Sequence, residues 1–488
     1  LIKLSAVLFR LPGKPWLREH RAMIAALALA AVVRAVTMAA YPPVLWFWAD
    51  SFSYLRGATV QEPSAFRPIG YSFLLKLLQP LHSLEAVAVL QHLIGLAVAV
   101  LVYVPLRRVL PGWAATLVVV PVLFDELQIL LEHMILAETL FTLLVTGAVA
   151  VLMRRAAPVV SAAAGGALLG LAAVTRVIGL PLVAVAAVCL IVRRAGWRAV
   201  SACVLAATIP IASYSAWVQA ERGTFGLTEA DGIFLWARTT TFADCSRIMP
   251  PPEEAALCPR MPRRRRPPPA NWIWHGFSPI NRGALPKGTD VNAVASRFAR
   301  RAIMAQPGDF LATGTADLVS VFRWSRRLRD SSASKRNPYE FPGRPWKVPG
   351  DSSQPSSPRN LATGYDSGDP DTRIVQPYAS WMRAYQRWAY TPGPVLLVIL
   401  LVGLGGVVVR RRMEILLPWA VATALVIAPP FVTGFDARYA IPALPLAFLS
   451  AGLALAPKPS RSRRLDTPVG DRAPGIAKAS VNHFGPAR

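Results

Sequence analysis

The chain is poor in acids, cysteine and histidine. Against 53 Lys and Arg it has 27 Asp and Glu, with six His and four Cys in 488 residues. Charged residues make up only 16% of it, too few for the solvated surfaces of several soluble domains. Four Cys exclude a disulfide-dense scaffold, and none stands at zinc-ligand spacing. No Walker-type loop and no Gly-x-Ser-x-Gly elbow occurs, so P-loop nucleotide hydrolysis and serine-hydrolase chemistry have no support.

What is abundant is apolar. Residues of the AVILMFWYC set are 53% of the chain and gather in blocks such as 22–40, 86–106, 135–152, 177–192 and 395–409. A bilayer core of about 30 Å needs roughly 20 apolar residues per helical span. The expected fold is therefore an all-α polytopic membrane protein of about ten transmembrane helices, with external surface helices and one long external loop. The formal charge of +26 would suggest nucleic acid in a soluble chain. Here the spans exclude a nucleic-acid binder, and phosphate-rich lipid of the bilayer is the expected counterpart.

Charge orients the spans. Residues 1–21 form a basic, cytoplasmic N-terminus by the positive-inside rule. The transmembrane core covers 22–219, with external loops at 42–83 and 125–133. No small-residue cleavage site follows the first apolar block, so the first span reads as an uncleaved signal anchor. Arg107 and Arg108, Arg154 and Arg155, Arg193 and Arg194, and Arg410 to Arg412 all fall inside on this alternation. Residues 220–390 become the long external region, with a helical pattern over 293–324 broken at Pro307 and a mobile Ser/Pro-rich stretch over 329–372. C-terminal spans follow over 391–456, and 457–488 is a basic cytoplasmic tail. The setting is a multi-pass plasma-membrane protein of a cell envelope, and the Arg, Ala and Pro bias resembles bacterial coding. Cys245 and Cys258 share the external loop, where oxidation is permitted; a disulfide is expected, with two unpaired thiols as the alternative. Cys189 and Cys203 read as small core residues.

Acids at a membrane face are the informative residues, because ionisable groups there are costly. The external ends collect Asp50, Glu62, Asp125, Glu126, Glu132 and Glu138, with Arg67, Arg176 and Arg438 on the same side. Such a set suits transfer from a lipid-linked phosphate donor, a carboxylate taking a hydroxyl proton while Arg forks hold phosphate oxygens.

The order Asp50-Ser51-x-x-Tyr54, then Arg67-Pro68-Ile69-Gly70-Tyr71, resembles the first external loop of the GT-C membrane glycosyltransferases. The branch includes protein O-mannosyltransferases and aminoarabinose transferases, which use polyprenyl-phosphate sugars. Glu132-His133-x-x-x-x-Glu138-Thr139-Leu140-Phe141 is similar to that family's acidic second external loop. Thr175-Arg176, Ala302-Ile303-x-x-Gln306-Pro307-x-x-Phe310 and Arg438-Tyr439-x-x-Pro442-x-x-Pro445 continue the likeness in order. Many relatives have Asp-Glu where this chain has Asp50-Ser51.

The resemblance implies a glycosyltransferase that moves a sugar from a polyprenyl-phosphate donor to an acceptor hydroxyl, with inversion, at the external face. Asp50 is the expected base. Glu138 orients the acceptor or, with Asp50, holds a divalent cation. Arg67, Arg176 and Arg438 are the expected donor-phosphate contacts; Tyr54, Asp125, Glu132 and His133 are candidate acceptor or metal contacts. The acceptor would be an extracytoplasmic glycan, lipid or protein. The rival classes are a transporter or flippase of lipid-linked sugars and a cell-envelope scaffold. A transporter would place its ionisable groups near the midplane on broken helices, and Arg34 is the one clear charge deep in a span.

Overall fold

The structure is a computed structural model describing residues 14–154, 157–325, 337–351 and 357–457. It is all-helical, 68% helix, and among the described residues it has no strand, only the isolated bridges Leu45–Met134 and Trp346–Thr372. The basic N-terminus up to residue 13, the tail beyond 457, and parts of the Ser/Pro-rich stretch lie outside the described residues.

Among the described residues five segments are long and apolar enough to cross a bilayer: Pro15–Ala40, Leu84–Arg107, Pro158–Thr175, Trp197–Arg222 and Ala437–Leu455. A sixth arises if Gly112–Phe124 and Glu126–Glu132, bent by 56° at Asp125, count as one span. Four further apolar helices, Glu138–Leu152, Gly179–Val192, Gly393–Val408 and Leu416–Val432, are shorter than a straight crossing requires. Helix length alone thus supports five or six spans, where the sequence suggested about ten.

The helices are labelled here as α1 (Lys14–Ala40), α2 (Trp48–Thr59), α3 (Gly70–Leu78), α4 (Leu84–Arg107), α5 (Gly112–Phe124), α6 (Glu126–Glu132), α7 (Glu138–Leu152), α8 (Pro158–Thr175), α9 (Gly179–Val192) and α10 (Trp197–Arg222). Local sequence explains several ends. Ser83 caps α4 by accepting from Ala86 N–H, with Glu85 in the first turn and Arg107 in the last. At the far ends of the bundle arginines satisfy terminal carbonyls: Arg193 donates to Leu152 O, Arg410 to Ala454 O, and Arg412 to Leu453 O. The short-loop arginines thus have a structural task beside any topological one.

Packing between spans relies on small residues, because lipid tails remove the hydrophobic drive for helices to meet. A methyl group at Gly166 would stand 2.0 Å from the Cys203 carbonyl oxygen, and one at Gly170 would stand 2.4 Å from that of Ala207. The backbones of α8 and α10 meet at these glycines.

Residues 250–269, whose proline runs at 250–252 and 267–269 and arginine run at 263–266 favour extended, exposed chain, belong instead to a folded unit over 230–305. It folds around Trp236, Trp272, Ile273, Phe298 and Ala299, with the Trp236 indole donating to Leu257 O at 3.1 Å. Cys245 and Cys258 form a disulfide. Even the basic Pro-rich run is partly used: Arg266 donates to Met261, Thr240 and Ala243 carbonyls. The helical pattern over 293–324 is two helices, α11 (Val291–Ala305) and α12 (Pro307–Val321), separated at Gln306. Within the stretch expected to be mobile, Phe341 and Val348 are instead buried in the main core, and a helix, α13, spans Pro358–Tyr365.

We predict that Gly166→Ala lowers the melting midpoint of the detergent-solubilised protein by the equivalent of about 1–3 kcal/mol, the usual cost of overpacking. Gly405→Ala, with open space at its Cβ position, should leave it unchanged.

Candidate active site

Five chain segments, among them the link between α2 and α3 that carries Arg67, bring acids and arginines to one end of the bundle. The first leaves α1 and enters α2. Phe47 begins that helix, and Ser51, fully buried, accepts the Phe47 N–H at 2.9 Å through its hydroxyl. The residue that replaces the second acid of the resembled motif is therefore a local lock on the helix start. Asp50 sits in the first turn, where the helix dipole favours a carboxylate. Glu138 opens α7 in the same way. Arg176 directly follows α8. The last segment is a 3-10 turn, Ala437–Ala443, capped by Asp436 through the Arg438 N–H.

The geometry is a closed ion network. Asp50 Oδ1 meets Arg67 Nη1 at 2.9 Å, and Asp50 Oδ2 meets Arg438 Nη1 at 2.9 Å. The same Arg438 nitrogen lies 3.4 Å from Glu138 Oε1, which also pairs with Arg176. Arg438 is oriented from behind by Asp436, whose Oδ2 lies 3.2 Å from Nε, and Tyr339 donates its hydroxyl proton to Asp436 at 2.7 Å. Aromatic faces complete the setting. The Arg438 guanidinium lies 4.4 Å from the Phe47 ring centroid, Arg176 5.2 Å from that of Tyr439, and Arg67 5.6 Å from that of Tyr54. Three carboxylates and three guanidiniums are thus gathered in a half-buried pocket; the Asp50 side chain is 18% exposed and that of Glu138 2%.

Burial would push the Asp50 carboxyl up, but Arg67 and Arg438 outweigh it and hold the group below its ordinary value. Burial pushes the Tyr54 phenol up, so it stays protonated at neutral pH. Some polar atoms have no hydrogen-bond partner among the described residues: Arg67 Nε and Glu138 Oε2 are both buried in this state. Buried polar atoms left so are the ones a ligand can satisfy.

The sequence-derived candidates divide. Asp50, Glu138, Arg67, Arg176 and Arg438 converge, with Tyr54 stacked beside Arg67. Asp125, Glu132 and His133 lie elsewhere. Asp125 caps α6, accepting from Leu127, Gln128 and Thr391 N–H groups. Glu132 pairs with Arg34 and His92, and His133 bonds the Tyr41 carbonyl, all buried. The expected loop 125–133 is in fact a buried helical turn, which removes these three as acceptor contacts. Glu62 is surface-exposed beside Arg56. Asp436 escaped sequence reading; its only trace was the Asp-x-Arg spacing to Arg438.

No group of three or more His, Cys, Asp or Glu converges as a metal site among the described residues. Asp50 and Glu138 both face the Arg438 guanidinium, so arginine already supplies the positive charge between them. A cavity of about 410 Å³ opens nearby, lined in part by Leu127, Tyr339, Arg383, Gln386 and Tyr390. It shares Tyr339 with the Asp436–Arg438 pair.

No family model matches the chain, and no curated protein does. Among solved structures it is similar to ArnT from Cupriavidus metallidurans bound to undecaprenyl phosphate, at 15% identity over 88% of this chain and 76% of that one, TM-score 0.36. It is also similar to the archaeal oligosaccharyltransferase AglB from Archaeoglobus fulgidus, in complex with an inhibitory peptide and a dolichol-phosphate. There the identity is 12% over 90% of this chain, the TM-score is 0.42, and the chain spans half of that protein's length.

The depressed Asp50 value has a consequence for stability. A carboxyl whose folded-state value lies below its unfolded one adds stability above the ordinary carboxylate range and loses it as pH falls through the depressed value. Asp50→Asn should therefore melt below the wild type at pH 7, and the two melting curves should converge as the pH drops below the ordinary Asp value of about 3.9. A gap that is constant with pH would show that the ion pairs contribute nothing.

Proposed function

We propose that this chain is a membrane glycosyltransferase that moves a sugar from a polyprenyl-phosphate donor to an acceptor hydroxyl, inverting the anomeric centre. The observation that carries the reading is Asp50 clamped between Arg67 and Arg438, with Arg438 reaching Glu138 as well. A lipid tail confined to hydrocarbon presents its phosphate at the ends of spans, the level at which this cluster sits.

The resting cluster is self-neutralised, and that suggests the order of events. Donor phosphate oxygens take hydrogen bonds from Arg67, Arg176 and Arg438, drawing positive charge away from the two carboxylates. Asp50, a weak base while doubly clamped, then regains basicity as its clamps turn to the phosphate. It takes the proton of the acceptor hydroxyl as that oxygen attacks the anomeric carbon. The bond from that carbon to the phosphate oxygen breaks, and the guanidiniums stabilise the charge growing on the departing lipid phosphate. Glu138, through its unpartnered oxygen, accepts a second hydroxyl of the acceptor and fixes its approach. The cavity beside Tyr339 gives that acceptor its route. The donor sugar arrives from the lipid side. In this reading the site faces the exterior of the plasma membrane, which the short-loop arginines at the opposite ends of the spans support.

A carrier reading would need vacant ionisable groups within the bundle. The buried pair Arg34 and Glu132 is instead bonded at every nitrogen and oxygen of its side chains, which disfavours a transported ion or sugar there.

The test is steady-state transfer from a polyprenyl-phosphate sugar by purified protein. Asp50→Asn should cut turnover by about 100-fold or more while donor binding persists. Donor-induced release of the clamp adds a sharper expectation. The acid limb of kcat, which reports the donor complex, should lie at higher pH than the acid limb of kcat/KM, which reports the free enzyme. Near-normal turnover in Asp50→Asn would remove the assignment, and coincident limbs would remove the release step.

A further inference from the structure

Behind the charge cluster lies a second buried network that the transfer chemistry does not use. Arg34, on α1, forms a two-pronged pair with Glu132: Nε to Oε2 at 2.8 Å and Nη2 to Oε1 at 2.9 Å. Its third nitrogen donates to the Ala30 and Leu123 carbonyls. Glu132 Oε1 also accepts from Gln128 Nε2 at 3.1 Å, and Oε2 lies 2.9 Å from His92 Nδ1. His92 Nε2 meets His133 Nδ1 at 3.2 Å, and His133 Nε2 meets the Tyr41 carbonyl at 2.9 Å. A carbonyl only accepts, so His133 carries a proton on Nε2. Glu132 and His133 have no exposed surface at all. Room for the carboxylate is made by Gly95, where a methyl group would fall 1.8 Å from Glu132 Oε1.

Both oxygens of Glu132 are engaged, and His133 is held by Tyr41 through Nε2 while its Nδ1 faces His92 Nε2, a contact that becomes a hydrogen bond when one of the two rings carries a second proton. What the network does is join two chain segments. Residues 132–136 lead to Glu138, and residues 41–47 lead to Asp50. Between them Leu45 N donates to His133 O at 3.0 Å and Ile135 N to Leu45 O at 3.4 Å. Gln91 adds a second tie on the far side, donating to the Glu132 and Met134 carbonyls while accepting from the Tyr71 hydroxyl. Phe47, at the end of the first segment, lies under the Arg438 guanidinium.

We propose that Arg34, Glu132, His92 and His133 are positioning residues: they lock the segment bearing Asp50 to the segment bearing Glu138 and thereby set the separation of the two carboxylates. The inference rests on the transferase reading for its kinetic readout but not for its structural one. Polar groups this deep in an apolar bundle cost free energy unless they are bonded to one another, so parting the two segments is resisted by the network as a whole. Breaking it lets the two segments part, and a misplacement of about 1 Å between reacting groups costs on the order of 100-fold in rate.

The test uses the full-length protein in detergent or nanodiscs. His133→Leu removes the donor to Tyr41 and should lower kcat on the order of 10- to 100-fold, with KM for the donor changed less than about threefold, because no arginine of the cluster is touched. His133→Gln places an amide N–H where Nε2 stands and should recover most of the loss. The pair Leu45→Cys and Met134→Cys, at the observed bridge, should form a disulfide readily in the wild-type background and more slowly beside His133→Leu. Once oxidised, it should restore kcat to the His133→Leu protein. Unchanged kcat per folded molecule in His133→Leu, or a loss that neither His133→Gln nor the cross-link repairs, would overturn the proposal. If the wild type transfers no sugar, the transferase reading fails by itself. The cross-linking rates then decide this inference alone, and equal rates in the two backgrounds would overturn it.

Discussion

Arg438 is the contact on which the rest of the cluster depends. One of its nitrogens lies within reach of both Asp50 and Glu138, groups carried by segments that run side by side in the same direction. The Asp50 pair joins residues 388 positions apart in sequence. Such a contact ties the first external turn to the last one and so depends on the spans between them being packed. Asp436 and the Phe47 ring then hold the guanidinium from behind and below. A lysine could hold the two carboxylates through its single nitrogen but would lose the separate Nε contact to Asp436 that orients the fork.

A charge-neutral cluster also explains how an apolar bundle tolerates so many ionised groups at its end. Asp50, Glu138 and Asp436 balance Arg67, Arg176 and Arg438, and the aromatic faces of Phe47, Tyr54 and Tyr439 shield the guanidiniums. In the proposed reaction a donor phosphate competes with the tethered carboxylates for three guanidiniums already in place, which costs less than bringing a lone anion into low dielectric. Arg67 Nε and Glu138 Oε2, buried without a hydrogen-bond partner among the described residues, are the atoms open to new hydrogen bonds.

Much of this was legible in the sequence, and the exceptions have physical causes. The helical, membrane-embedded class followed from apolar blocks of spanning length. Asp50, Arg67, Glu138, Arg176 and Arg438 stood out because charge beside such blocks is rare. Asp436 did not, since an acid two residues from an arginine looks like an ordinary turn. Glu132 and His133 were misplaced for the opposite reason: acid and histidine near Glu138 suggested a wet loop, whereas Arg34, nearly a hundred residues earlier, gives Glu132 a dry partner. No local pattern reports a contact of that range. The number of crossings is harder still, because helices such as Gly179–Val192 are too short to be judged by length without knowing their tilt.

The long region after α10 shows the limit of composition as a guide. Its Pro, Ser and Arg content predicts solvated chain, yet its last part returns to the bundle and pairs along the segment that bears Asp50. Arg373 N donates to Pro42 O, Val375 N to Ala40 O, and the Thr372 hydroxyl to Val44 O, while the Trp46 indole donates to Pro370 O. Residues 41–46 are thus held on one side by 132–136 and on the other by 370–375, a three-stranded arrangement in all but regularity. Backbone ties of this kind are indifferent to side-chain identity, so no periodicity announces them. The folded part around Trp236 and Phe298 has its own core and its own disulfide, and it touches the cluster through Trp274, whose ring packs on Phe66 and lies 6.0 Å from the Arg67 guanidinium. The return segment acts on the other side, because its hydrogen bonds hold the residues that lead to Asp50.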